Sequence, residues 1–327
     1  MEAFSPNRTL NIKSDEEYSH PTIYKIVFII LSVLIALSNS TVLLLYHINP
    51  HIRSTKNLLL ASLALSDLAA GTIVIPITLR CFGNSEWSIC VASSTLFRFL
   101  AFSTILHILA TIFEKYISIL QPFWVVEKKH IRVTSGCIWA ISSFVAIIPL
   151  VWLREGHSKD AEVVRKELVY FLVTFIGFFF IPFILIVFAQ VRMFSAIHRS
   201  FTMLETSPVE SYNLTFQGSP LRHDNNFNVE QSSYRTSSTQ QNRKVLTAFA
   251  LMLGTFTVCW LTWYVGVFLS YVDKEKFRKF SANLKEMLQI IVFLPSLVNP
   301  LLYTYYKKDF RQALQALLKS VLKALCH

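Results

Sequence analysis

The chain has 327 residues, of which 53% are hydrophobic and only 16% charged, with 27 phenylalanines and a formal net charge of +11. A soluble domain carries about a quarter charged residues, so this composition argues against a soluble enzyme and for a membrane protein. The positive charge is no nucleic-acid signal until its place in the chain is known. The five cysteines, Cys81, Cys90, Cys137, Cys259 and Cys326, show no metal-type spacing.

Residues 1–21 are polar and lack the apolar core of a signal peptide, so they read as an N-terminal tail. Asn7-Arg8-Thr9 within them is a glycosylation acceptor. Seven apolar stretches of membrane-crossing length follow, at about 22–46, 56–81, 89–120, 132–153, 167–194, 243–271 and 284–306. The fold class is therefore all-α, a seven-helix membrane bundle over 22–306. The segment 195–242 is rich in Ser, Thr, Asn and Gln with no apolar periodicity, and reads as a disordered loop within that bundle. Residues 307–327 form a tail. Phe310, Ala313, Leu314, Leu317, Leu318, Val321 and Leu322 make an apolar stripe opposite Lys308, Arg311, Lys319 and Lys323, which predicts a short helix lying on membrane lipid. Cys326 at its end is a candidate palmitoylation site, or an unmodified thiol.

An odd number of spans puts the two ends on opposite sides. Arg53, Lys56, Lys128, Lys129, Arg132, Lys307 and Lys308 fall on one face. This modest basic excess favours that face as cytoplasmic and the N-terminus as extracellular.

Polar residues inside the spans mark function by default. Asn39 lies in span one and Asp67 in span two. A mid-membrane carboxylate costs about 2.5–3.5 kcal/mol on insertion scales, so Asp67 needs partners. Two readings stand: a helix-packing hydrogen bond, or a small-cation or proton site with Thr104, Ser296 and Asn299. Arg98, His107, Glu114 and Lys115 place span three in the bundle centre. Pro300 beside Asn299 frees a carbonyl and kinks span seven, and Tyr303 follows one turn on.

Asn299-Pro300-Leu301-Leu302-Tyr303, Leu63-Ala64-Leu65-Ser66-Asp67, Glu114-Lys115-Tyr116, Trp139 and Phe256-Thr257-Val258-Cys259-Trp260 together resemble the rhodopsin-like G-protein-coupled receptors, over about 22–325. The resemblance implies a sodium ion at Asn39, Asp67, Thr104, Ser296 and Asn299. It implies a switch made of Glu114, Lys115, Tyr116, Ile105, Pro182, Phe256, Trp260, Pro300 and Tyr303 that couples to a heterotrimeric G protein. It also implies arrestin and receptor kinases as partners through the third cytoplasmic loop, a plasma-membrane location, and no catalytic activity.

The ligand pocket implied lies among spans three, five, six and seven, around Phe97, Arg98, Trp260, Val267, Lys285 and Phe293. Phe97 replaces the aspartate of amine receptors, Phe293 the lysine of opsins and Val267 the asparagine of adenosine receptors. Arg98 and Lys285 lend a basic character that suits an anionic ligand, unless Arg98 pairs with an outer-loop acid such as Glu167. Cys90 holds the family's disulfide position, but 154–166 contains no cysteine, so the usual bridge cannot form. Cys81 and Cys90 remain, either paired or as two free thiols.

Three positions depart from the family pattern: Lys115 for arginine, Gln190 for tyrosine and Thr262 for proline. They motivate a second reading, a divergent receptor with weak G-protein coupling. A channel or transporter is the third; its pore rings or inverted repeats are not visible.

Overall fold

The computed structural model describes residues 22–54, 57–84, 86–121, 123–124, 126–153, 160–206, 225–272 and 282–325. Among the described residues, seven helices are long and apolar enough to cross a membrane: α1 (Thr22–Ile48), α2 (Leu58–Phe82), α3 (Trp87–Leu120), α4 (Lys128–Val151), α5 (Ala161–Arg199), α6 (Gln240–Val272) and α7 (Glu286–Tyr306). An eighth, α8 (Lys308–Leu325), follows α7 after a one-residue break.

Burial sorts the helices. In the most apolar window, 61% of α2 and 56% of α3 are buried, against 22% for α4 and for α5. α3 packs on α2, α4, α5 and α6, so it runs through the centre. That is where its intramembrane charges required it to be. Its packing face is Leu100, Ile105, Ile108 and Ile112, all buried.

Two prolines shape the bundle. Pro76 and Pro182 each lack an N–H and crowd the carbonyl four residues earlier. The turns holding those carbonyls widen to π geometry, at Ala70–Val74 and at Phe175–Phe180. Gly71 sits in the first of these turns against α1. A Cβ there would lie 2.9 Å from the Ser32 carbonyl oxygen and 3.0 Å from the Ala36 nitrogen. The close approach lets Ser32 Oγ donate to the Gly71 carbonyl at 2.6 Å.

Helix runs further into the connecting segments than the sequence indicates. α5 begins at Ala161 rather than 167, and an i,i+4 ion pair between Glu162 and Lys166 supports its first turns. Over 195–242, expected to be unstructured, helix continues to Thr206 and resumes at Asn225. An α-helix closes its backbone hydrogen bonds internally, so it need not stop where the apolar run stops. Residues 207–224 lie outside the described residues.

At the α7–α8 junction a buried Lys307 donates to Asn57 Oδ1 at 2.5 Å. Asn57 Nδ2 in turn donates to the Ile52 carbonyl and to Asp309 Oδ2, at 2.9 and 2.8 Å. Phe310 packs its ring 5.5 Å from that of Tyr303. The tail helix is thereby tied to the α1–α2 connection.

Candidate functional site

At the end of the bundle where α2 meets α3, a cavity of about 190 Å³ opens among α2, α3, α5, α6 and α7. Helical spacing builds its walls. Phe97 and Ala101 on α3, Glu167, Tyr170, Phe171 and Thr174 on α5, Trp260, Trp263, Tyr264 and Val267 on α6, and Gln289 and Phe293 on α7 each follow the three- and four-residue steps of one helix face. Cys81 and Cys90 are bridged, with Cα atoms 5.0 Å apart, and the bridge joins the ends of α2 and α3 at the cavity rim.

Phe97 stands at the centre of the aromatic wall. Its ring lies 5.1 Å from Trp263, 5.3 Å from Trp260 and 5.7 Å from Phe293. Arg98 beside it does not present a lone positive charge, as the anionic-ligand expectation required. Its Nη2 lies 3.3 Å from Glu167 Oε2, and Glu167 belongs to α5 rather than to a loop. Trp152 Nε1 donates to the other carboxylate oxygen at 2.9 Å. Lys285 lies on the helix of α7, but its side chain is outside the described residues, as are Asn7 and Cys326 altogether.

Beneath the cavity the rings continue inward. Trp260 stacks at 5.7 Å on Phe256, which lies 6.2 Å from Phe179. Phe256 and Ile105 are buried in one apolar cluster, and Pro182 is buried on α5. Thr104 borders a small void shared with Trp260, Phe293 and Ser296.

That void leads to a polar core. Ser296 Oγ donates to Asp67 Oδ1 at 2.8 Å, and Asn299 Nδ2 to Oδ2 at 3.2 Å. Asn39 Nδ2 donates to the carbonyls of Ile35 and Ser296, at 2.9 and 3.0 Å. The Ser296 carbonyl is the one that Pro300, four residues on, cannot serve. The gap is filled from α1, while Asn299 beside the proline turns to Asp67. Two acceptors, Asn39 Oδ1 and Asn299 Oδ1, are buried without a hydrogen-bond partner among the described residues. Oxygen acceptors beside a carboxylate are the donor set a hard cation takes, so these residues fit a small metal ion.

A second polar chain escaped the sequence reading. His107 Nε2 meets Ser62 Oγ at 2.8 Å, and Ser62 Oγ also accepts from Trp139 Nε1 at 2.9 Å and meets Ser135 Oγ at 2.7 Å. His107 Nδ1 faces the Ser103 carbonyl at 2.8 Å, and Ser66 Oγ donates to Ser103 Oγ at 3.1 Å. The signal was available: Ser62 and Ser66, like Ser103 and His107, are one turn apart on otherwise apolar helices.

At the opposite end of α3, Lys115 Nζ lies 2.6 Å from Glu114 Oε2, a close ion contact without hydrogen-bond alignment. Tyr116 is half-buried beside Phe113. Thr262 Oγ1 donates to the Val258 carbonyl at 2.6 Å, the back-bond that a threonine at the absent proline's position allows. Gln190 is buried, and neither end of its amide has a hydrogen-bond partner among the described residues. The Tyr303 hydroxyl is in the same condition.

The sequence profile of the 7 transmembrane receptor (rhodopsin family) matches residues 38–303. Similar proteins include the 5-hydroxytryptamine receptor 1F of Rattus norvegicus, 24% identical over 312 residues that cover 80% of this chain and 83% of that receptor. The Homo sapiens 1F receptor is 24% identical, covering 86% of this chain and 88% of its own. The 5-hydroxytryptamine receptor 1D of Rattus norvegicus is 25% identical, covering 89% and 87%. The chain belongs to the rhodopsin family of seven-transmembrane receptors. It is a multi-pass membrane protein, and its relatives are receptors rather than enzymes.

Proposed function

We propose that this receptor lies in the plasma membrane with its N-terminus outside, binds a small aromatic ligand in the cavity around Phe97, and activates a heterotrimeric G protein from the opposite face. One observation carries the reading: the cavity floor is Trp260, and Trp260 stacks directly on Phe256 in the apolar core between α3, α5 and α6. A ligand ring that presses on Trp260 has a contiguous path to the packing of α6. Activation is then a population shift, in which the ligand binds one packing of α6 more tightly than the other. The relatives are named for 5-hydroxytryptamine, an aromatic amine, and the aromatic walls support the ring. Phe97 gives such an amine no acid on α3, so the ligand is not a typical amine; Phe293 gives retinal no lysine.

A sodium ion at Asn39, Asp67, Thr104, Ser296 and Asn299 belongs to the same proposal. When bound it supplies a positive charge that holds α1, α2 and α7 together through Asp67. The segment after α5 would serve arrestin and receptor kinases.

A second reading is favoured by Lys115, Thr262 and Gln190: the receptor couples weakly. The deciding experiment reconstitutes the full chain in lipid nanodiscs with a panel of G proteins and measures nucleotide exchange across a library of small aromatic compounds. Exchange stimulated by any member supports the receptor reading. Saturable binding with no exchange on any G protein replaces it with the second.

A further inference from the structure

The hydroxyl groups on the cavity wall have their protons committed. Thr78 donates to the Val74 carbonyl, so the proton between Thr78 and Ser93 comes from Ser93; both contacts are 2.8 Å. Ser94, Thr174 and Ser270 bond back to carbonyls of their own helices. The Tyr170 hydroxyl donates to the Val145 carbonyl at 2.9 Å. Gln289 on α7 has a proton left over, and the structure fixes where it points. The residue is 8% exposed, and its Oε1 accepts from the Tyr24 hydroxyl at 2.7 Å. Tyr24 is buried with its ring 4.8 Å from that of Phe28 and 6.0 Å from that of Phe82, so its hydroxyl is held in place. A carboxamide whose oxygen is tied on one side turns its NH2 to the other. Gln289 lines the cavity, and its Nε2 has no hydrogen-bond partner among the described residues.

Solvent serves such an N–H while a cavity is open. A ring that fills the cavity strips that solvent away, and a buried donor left unpaired costs more than the bond itself returns. A ligand that brings an acceptor to the same place avoids the loss. The place is within reach of the aromatic wall. Phe293 lies four residues beyond Gln289, hence on the same face of α7, and its ring is 5.7 Å from that of Phe97. We infer that Gln289 reads the ligand through this N–H, and that the ligand is an aromatic compound carrying an acceptor oxygen of the ketone or amide carbonyl class. Its ring lies against Phe97 and Trp260, and its carbonyl oxygen accepts from Gln289 Nε2. Tyr24 is a positioning residue: by holding Oε1 it turns the N–H of the amide, and not its oxygen, toward the ligand.

This inference rests on the receptor reading in taking the cavity as the ligand site, and the test separates the two. The full receptor in nanodiscs is titrated with matched pairs in which a carbonyl replaces a methylene and nothing else changes. The pairs are 3-acetylindole with 3-ethylindole, 2-acetylnaphthalene with 2-ethylnaphthalene, and propiophenone with propylbenzene, compared at equal free aqueous concentration. Thermal unfolding is followed for each, since a ligand of the folded state raises the midpoint by mass action. At least one carbonyl member raises it, and its alkyl partner needs roughly tenfold or more higher concentration for the same shift. Gln289→Met keeps the length of the side chain without the N–H, and brings the two members to within about threefold of each other by weakening the carbonyl one. Tyr24→Phe keeps the ring packing and frees the amide to turn, so the ratio narrows while the alkyl member binds as before. Equal or stronger stabilisation by the alkyl member of every pair overturns the inference, as does no shift with any carbonyl member or an unchanged ratio in Gln289→Met. The wild-type series decides even if a variant fails to fold. Nucleotide exchange is read in parallel. A carbonyl compound that stabilises through Gln289 without stimulating exchange keeps the inference and removes the coupling proposal; exchange driven by alkyl members alone does the reverse.

Discussion

Asn39 on α1 reaches the carbonyl of Ser296 on α7 at 3.0 Å, and that carbonyl is the one Pro300 leaves open. A helix defect is thus repaired by its neighbour, and the repair fixes the spacing of α1 against α7. Replacing Asn39 by Ala strips the donor and leaves a buried carbonyl unsatisfied, at about 1–3 kcal/mol. The unfolding midpoint of the purified receptor falls accordingly. Ser38→Ala, whose hydroxyl bonds only within its own helix at Ile35, leaves the midpoint nearly unchanged. Equal effects of the two would remove the special role of Asn39.

The same core carries the sodium proposal. Asp67 is fully buried and takes hydrogen bonds from Ser296 and Asn299, while two amide oxygens beside it lack partners. Exchanging sodium chloride for choline chloride at constant ionic strength lowers the midpoint of the wild-type protein, because the ion binds only the folded state. In Asp67→Asn the two salts give the same midpoint. A wild-type midpoint indifferent to sodium counts against the site.

Much of this architecture was legible in the sequence, for a physical reason. Lipid leaves helices as the only way to satisfy a spanning backbone here, so apolar length alone located all seven spans. Asp67, Asn39 and Asn299 stood out because polar groups in lipid need partners. What stayed hidden was partner choice. Pro300 announces an open carbonyl but not the side chain that serves it; Asn39 does so from α1, while Asn299 reaches Asp67 on α2. Arg98 allowed two readings, a ligand anchor or a partner of Glu167, and the packing of α5 beside α3 decides for the pair. Helix ends were hidden too, since Ala161–Glu167 and the stretch up to Thr206 are polar enough to end a span without ending the helix. His107 was placed in the core, but its link to Ser62 and Trp139 depends on how three helices rotate against each other.

Gly71 and Gly136 make a controlled pair. A methyl at Gly71 meets backbone atoms of α1 at 2.9 and 3.0 Å, and backbone cannot swing aside as a side chain can. Gly71→Ala therefore forces α1 from α2 and destabilises by about 1–3 kcal/mol. Nothing lies within 4 Å of a methyl at Gly136, in the middle of α4. Gly136→Ala gains helix propensity of about 1 kcal/mol. The two variants move the unfolding midpoint in opposite directions. A neutral Gly71→Ala would mean that the π turn of α2 relaxes to accept it.

The coupling face poses the last question, and α6 offers a direct way to ask it. Thr262 bonds the Val258 carbonyl at 2.6 Å, and its side chain faces outward. A proline at 262 would crowd that same carbonyl, so both residues act on one peptide, the proline more strongly. Because the site faces lipid, Thr262→Pro changes the bend of α6 with little cost in packing. A sharper bend below the cavity gives α6 a longer lever at the Lys115 end of the bundle. Basal nucleotide exchange on added G protein then rises several-fold. Lys115→Arg acts on the other partner: a guanidinium offers five donors in a plane where the ammonium, 2.6 Å from Glu114 Oε2, offers a point charge. If the residue at 115 limits coupling, Lys115→Arg raises exchange on its own, and the double variant exceeds either single one. If Thr262→Pro alone raises it, the limit lies in the motion of α6. If neither variant changes exchange while both still bind ligand, weak coupling has its origin elsewhere, with the buried, unpartnered amide of Gln190 next to be replaced by Tyr.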